Sequence, residues 1–183
     1  MTCEGIKLPK NHIASISDLF DILESKNVVN LSSDLRASNL YTDDITNFIM
    51  YLIASDRSIN VEEVEVYRRL TGYEDTMDTI KHNIEEGTVL SCEFQSNIPM
   101  SLRLLVNATN RLTPHDLDVD IAHILEGYIA TFVFVGREIM CADNCVTFQE
   151  RRDFELYIKN MILYIDEHSC ARFKKPLTNL LEN

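Results

Sequence analysis

Apolar residues recur along most of this chain at steps of three and four, the period of a helix face. Ile16, Leu19, Phe20 and Leu23 form the first stripe, after Ser15, which can cap a helix with Asp18 three residues on. Ile45, Phe48, Ile49, Leu52 and Ile53 form the second. Thr42 is placed to open that helix, with Asp43 and Asp44 in its first turn, where the positive end of the helix dipole favours acids. Residues 27–39 between them are polar and read as a loop, with Val28, Val29 and Leu31 available to dock on the body.

A third helix starts after Asn60 and runs to about Thr71, turning Val64, Tyr67 and Leu70 inward before Gly72 stops it. Asp75 to Glu86 reads as a fourth, ended by Gly87, and Pro99 to Arg111 as a fifth; Thr88 to Ile98 has no clear period. Thr113-Pro114-x-Asp116 is a start signal: cap, proline at the first position, acid at the third. The helix it opens runs to about Cys141 and is apolar on nearly all sides between Ile121 and Ile139, which predicts a central, buried position. A last long helix follows Thr147 and carries Phe154, Tyr157, Ile158, Met161 and Ile165 inward; the tail from Cys170 holds Pro176 and a final turn. The chain therefore reads as all-α, a single helical domain of about seven helices over residues 1–183. Composition agrees. Apolar residues are 45% of the chain, enough for a sizeable core, and 5 glycines and 4 prolines are too few for a turn-rich sandwich or barrel.

A repeat stands out at an offset of about 87 residues, a spacing that reads as duplication of one helix–turn–helix unit rather than a solenoid. Asp56 matches Asp143, Ile59 matches Val146, Asn60 matches Thr147, Glu63 matches Glu150 and Tyr67 matches Phe154. Asn60 and Thr147 are N-cap residues, and a glutamate three positions on reaches back to the cap's own N–H, so each unit carries a capping box. Asp56 and Asp143 sit in the turn, where a short carboxylate accepts backbone amides. The units superficially resemble EF-hands. With Glu63 at the twelfth loop position, however, the first and third positions become Leu52 and Ala54 and the glycine position becomes Arg57; the second copy gives Ile139, Cys141 and Asn144. Calcium needs six to eight oxygens, and these loops lack them.

An apolar helix ending in Ala-x-Asp or Cys-Ala-Asp, a hydrophobic residue three positions on and a glutamate seven positions on resembles the TerB-like (tellurite-resistance protein B-like) all-helical family. Here the two copies are Ala54-Ser-Asp56…Ile59…Glu63 and Cys141-Ala-Asp143…Val146…Glu150. The family commonly has glycine after the aspartate, where this chain has Arg57 and Asn144. The resemblance implies a TerB-like core at about residues 42–166, with a helix and loop at 1–41 and a tail at 170–183 as extensions. It implies a stress-response setting without enzymatic activity. It also implies a divalent cation held by acidic surface residues, here Asp56, Glu63, Asp143 and Glu150, although capping and turn closure account for the same four residues unaided.

Charge and chemistry narrow the function. The formal net charge is −12, and the densest basic cluster, Arg172, Lys174 and Lys175, is short, so no nucleic-acid partner is expected. The apolar run Tyr128–Val135 is too short to span a bilayer, the first residues lack a signal-peptide pattern, and the five cysteines have no framework spacing. A cytoplasmic protein with reduced thiols is the expectation. No phosphate loop, no G-x-S-x-G and no Glu-x-x-His pair occurs, and Cys141-x-x-x-Cys145 has no matching zinc pair. His123 is the one imidazole placed on the central helix, with Glu126, Arg137 and Glu138, of which Glu126 and Arg137 share a face. The leading expectation is a non-catalytic protein-interaction or scaffold module without a cofactor, working through a groove between the two units. The alternatives are a divalent-metal-responsive regulator using the acidic turns and a helical enzyme with a site near His123.

Overall fold

The structure, a computed structural model, describes residues 12–32, 34–55, 59–86, 94, 97–112, 120–173 and 175–182. Its centre is made by the two helices with apolar positions around most of their circumference. α6 (Ile121–Met140) buries twelve of its 20 residues, and α2 (Ala37–Ala54) buries eleven of 18. α1 (His12–Ser25) lies on α2 and α6, as does α3 (Val61–Thr71). α4 (Met77–Glu86) packs on α2, and α5 (Met100–Thr109) on α2, α6 and α7 (Phe148–His168). The short α8 (Asn179–Glu182) closes on α6. The described residues contain no strand, so the chain is all-α, and one hydrophobic cluster joins α1 through α7.

α6 approaches its neighbours closely at Gly136. A Cβ there would stand 2.6 Å from two ring carbons of Phe154 on α7 and 3.2 Å from Phe48 on α2. Phe48 in turn stacks on Tyr157 at 4.7 Å between centroids and tilts against Phe132 at 5.3 Å, so α2, α6 and α7 share one aromatic junction.

Several helix starts differ from the sequence expectation, and each difference has a local cause. α2 opens at Ala37, so Thr42 lies inside it and gives its hydroxyl proton to the Ser38 carbonyl. Arg36, at the cap, makes no side-chain bond to the helix; Glu24 of α1 instead accepts the Ala37 N–H at 2.5 Å and pairs with Arg36 at 3.3 Å. The chain is already helical at His12, so Ser15 is internal to α1. α4 begins at Met77, because the Thr76 hydroxyl accepts the Thr79 N–H at 3.1 Å. α6 begins at Ile121 with Asp120 as its cap, accepting the Ala122 N–H at 3.1 Å. The Thr113–Asp116 start signal and the Gly87 stop lie outside the described residues. Val29 is buried, and Val28 and Leu31 pack against the core from the loop.

Asp44 caps a helix other than its own. Pro99 precedes α5 and offers no side-chain bond, so the free amides of α5 are met from α2: Asp44 Oδ2 accepts the Ser101 N–H at 2.8 Å and the Ser101 hydroxyl at 2.6 Å. Ser101 has then used its proton, so the buried Tyr128 hydroxyl donates to it at 2.7 Å. Burial pushes the Asp44 carboxyl up, and the bonds from Ser101 only partly oppose that.

Two predictions follow from this packing. Gly136→Ala gains helix propensity but drives Cβ into two buried rings, and stability falls by about 1–2 kcal/mol; chemical denaturation reads this directly. Because the folded state holds the Asp44 proton more tightly than the unfolded chain, this group's contribution is present below the ordinary carboxylate value and is lost as pH rises through the raised one. Asp44→Asn keeps an acceptor for Ser101 and no longer titrates. Urea unfolding from pH 4 to 7 should show the variant matching wild type at the acid end and exceeding it at neutrality.

Candidate functional site

Both capping boxes are formed. Asn60 accepts the Glu63 N–H at 2.8 Å while Glu63 Oε2 accepts the Asn60 N–H at 3.0 Å. Thr147 accepts the Glu150 N–H at 3.1 Å while Glu150 Oε2 accepts the Thr147 N–H at 2.6 Å. Glu63 and Glu150 are each only 3% exposed, which a carboxylate tolerates because the helix N-terminus supplies donors and a positive potential. Asp143 takes the turn role: Oδ1 accepts the Cys145 N–H at 2.8 Å. Asn144 follows with φ 60°, in the left-handed region that asparagine enters more readily than most residues.

The fold brings the two turns together. The Asn60 amide donates to Asp143 Oδ2 at 3.3 Å, and further along α3 the Arg69 guanidinium bonds Glu138 of α6 at 2.7 Å. Thus Glu63, Asp143 and Glu150 are all engaged in closing helix ends, and Asp56 lies outside the described residues. Among the described residues, no three of His, Cys, Asp and Glu gather where they could hold a metal ion.

The other sequence candidates separate. His123 is exposed near the start of α6, beside Asp120 at 4.0 Å, while Glu138 is fifteen residues on, roughly 22 Å along the axis. Arg137 does not pair with Glu126. Three turns put the two about 16 Å apart, and Arg137 Nη2 instead donates to the Leu181 carbonyl at 3.1 Å, fastening α8. Cys141 is half-buried and Cys145 exposed, and neither forms a disulfide. No described helix is long and apolar enough to cross a membrane.

Two surface features emerge that the sequence reading did not single out. The first is a cleft of about 490 Å³ walled by α1, α2, α3 and α6, with the Arg69–Glu138 pair in its lining. Its residues are 52 or more positions apart between α1 and α3, so no local pattern announces it. The second is the outer face of α7. Phe148, Arg152, Glu155, Lys159 and Leu163 follow at steps of four, three, four and four, and so share one side of the helix. Phe148 is 82% exposed and Leu163 54%. Arg151 and Lys159 both pair with Glu155, at 3.1 and 3.4 Å, and its carboxyl is held below the usual range chiefly by the Arg151 bond. The sequence did carry one signal here: an aromatic directly after the cap Thr147, off the inward stripe.

Compared with known proteins, the chain matches no family model, no curated protein and no solved structure.

Removing either capping glutamate should leave a cap N–H without its partner. Glu63→Ala and Glu150→Ala are each expected to lower stability by about 1–2 kcal/mol, read from urea midpoints. The loss should be the same with and without millimolar calcium or magnesium. A stabilisation of wild type by either cation that both substitutions erase would instead assign the carboxylates to a metal.

Proposed function

We propose that the chain is a non-catalytic protein-interaction module of the TerB-like kind, and that its working face is the outer surface of α7. The observation that carries this is Phe148, a fully formed aromatic anchor left 82% exposed at the head of a helix whose inner stripe is already packed. Exposed single apolar residues are ordinary, but this one borders a groove of about 550 Å³ with Arg151, Arg152 and Lys159 around it. Aromatics flanked by arginine are the residues that dominate protein interfaces. The face presents three cations to one carboxylate, on a chain whose net charge is −12. It therefore suits an acidic segment with an apolar side chain, steered by charge and anchored by the ring.

The geometry of the turns supports the family reading. Asn144 stands where that family commonly has glycine, and it adopts the left-handed conformation a glycine would supply. The paired capping boxes support descent of the two units from one. The expected groove between the units is partly closed by Asn60–Asp143 and Arg69–Glu138, which is why the working face is placed on α7 instead.

The test compares wild type with a Phe148→Ser, Arg152→Glu double variant as bait. Both positions are exposed, so melting should be unchanged within about 0.5 kcal/mol of stability. Proteins retained by wild type and lost by the variant support the face. Identical retention by both overturns it.

A further inference from the structure

The cleft between α1, α3 and the α2–α6 centre is independent of the α7 face. Its walls are side chains that the core leaves half-covered: Ile13 from α1, Leu70 from α3 and Phe134 from α6. Its volume, about 490 Å³, falls within the range of sites that enclose small organic molecules. Ser17, Thr42, Thr46 and Thr71 add hydroxyl-bearing side chains to the lining, and its one charged feature is Arg69 with Glu138. Their bond engages a single guanidinium nitrogen, Nη2, at 2.7 Å, and the other two nitrogens of Arg69 make no bond to the described residues. A guanidinium carries five N–H donors in one plane, and its remaining edge matches the spacing of a carboxylate.

From this geometry we infer that the cleft is a binding site for a monocarboxylate with a flexible apolar body, the chemistry of a medium-chain fatty acid. The acid group bonds the free edge of Arg69, and the hydrocarbon lies over Ile13, Leu70 and Phe134, removing apolar surface from water on both partners. Glu138 contributes selectivity. Its charge beside Arg69 tolerates one added carboxylate and repels a second, so dicarboxylates and phosphates are disfavoured.

Octanoate is the probe, with octylammonium and octanedioate as comparisons, measured by titration calorimetry and thermal melting on the full chain. Octanoate should bind and raise the melting midpoint, because it engages the folded state alone. Two substitutions break the same ion pair yet should act oppositely. Arg69→Gln removes the acceptor's partner and weakens octanoate by about tenfold or more, whereas Glu138→Gln frees the guanidinium and tightens it. If the pair were only structural, both would change binding in one direction. Ala14→Phe, at an exposed helix position on the cleft wall, fills the space and should abolish binding while leaving the fold intact. Absence of octanoate binding overturns the inference, as does tighter binding of octylammonium, a same-direction shift in the two ion-pair variants, or binding untouched by Ala14→Phe.

Discussion

Every helix begins with backbone amides that have no partner inside the helix, and in a packed bundle those amides must be met by something other than water. In this chain the usual answer is a carboxylate. Glu63 and Glu150 serve their own helices, Asp120 caps α6, Glu24 reaches from α1 to α2, and Asp44 reaches from α2 to α5. The acidic balance of the sequence is thus partly structural. Five of its negative charges sit at the positive ends of helices, where they orient one helix against the next as well as closing it. Glu24 and Asp44 matter most for the architecture, since each ties two helices together at a fixed point and so helps set how α1, α2 and α5 lie.

Those two residues also mark the limit of what the chain discloses by itself. A capping box is contiguous, so Asn60-x-x-Glu63 and Thr147-x-x-Glu150 could be read directly, and the starts of α3 and α7 were legible to the residue. Asp44 looked like a first-turn acid of its own helix because nothing local shows that Pro99, 55 positions on, lacks a cap. The apolar period located the cores of all the long helices and gave α6 its central place, since burial on nearly all sides leaves no polar face to turn outward. Gly136 gave no such signal: within an apolar run it reads as a weak helix former, and only the rings of Phe154 and Phe48 above it explain its presence.

The surfaces were the least legible. The cleft gathers side chains from four helices, and its ion pair joins residues 69 positions apart. The acidic turns, which attracted a cation reading, are consumed by backbone amides at Glu63, Glu150 and Asp143. Among the described residues, the outward chemistry that remains is a ring beside Arg152 on α7, next to the Arg151–Glu155–Lys159 pairs, and a guanidinium with one nitrogen engaged at the cleft.

The bond from Asn60 to Asp143 spans 83 residues, and that separation has a consequence during synthesis. A growing chain emerges from its N-terminus at a finite rate, and domains assemble as their parts arrive. α1 and α2 can pair early, but the face of α2 that carries Phe48, Leu52 and Ile53 waits for α5, α6 and α7, all made later. Until then that face of α2 waits for its cover, while α1, α3 and α4 can already pack on the rest of the helix. Only when Glu138 and Asp143 have been translated can α3 be fastened at both ends, and the cover that α7 gives to α2 arrives later still.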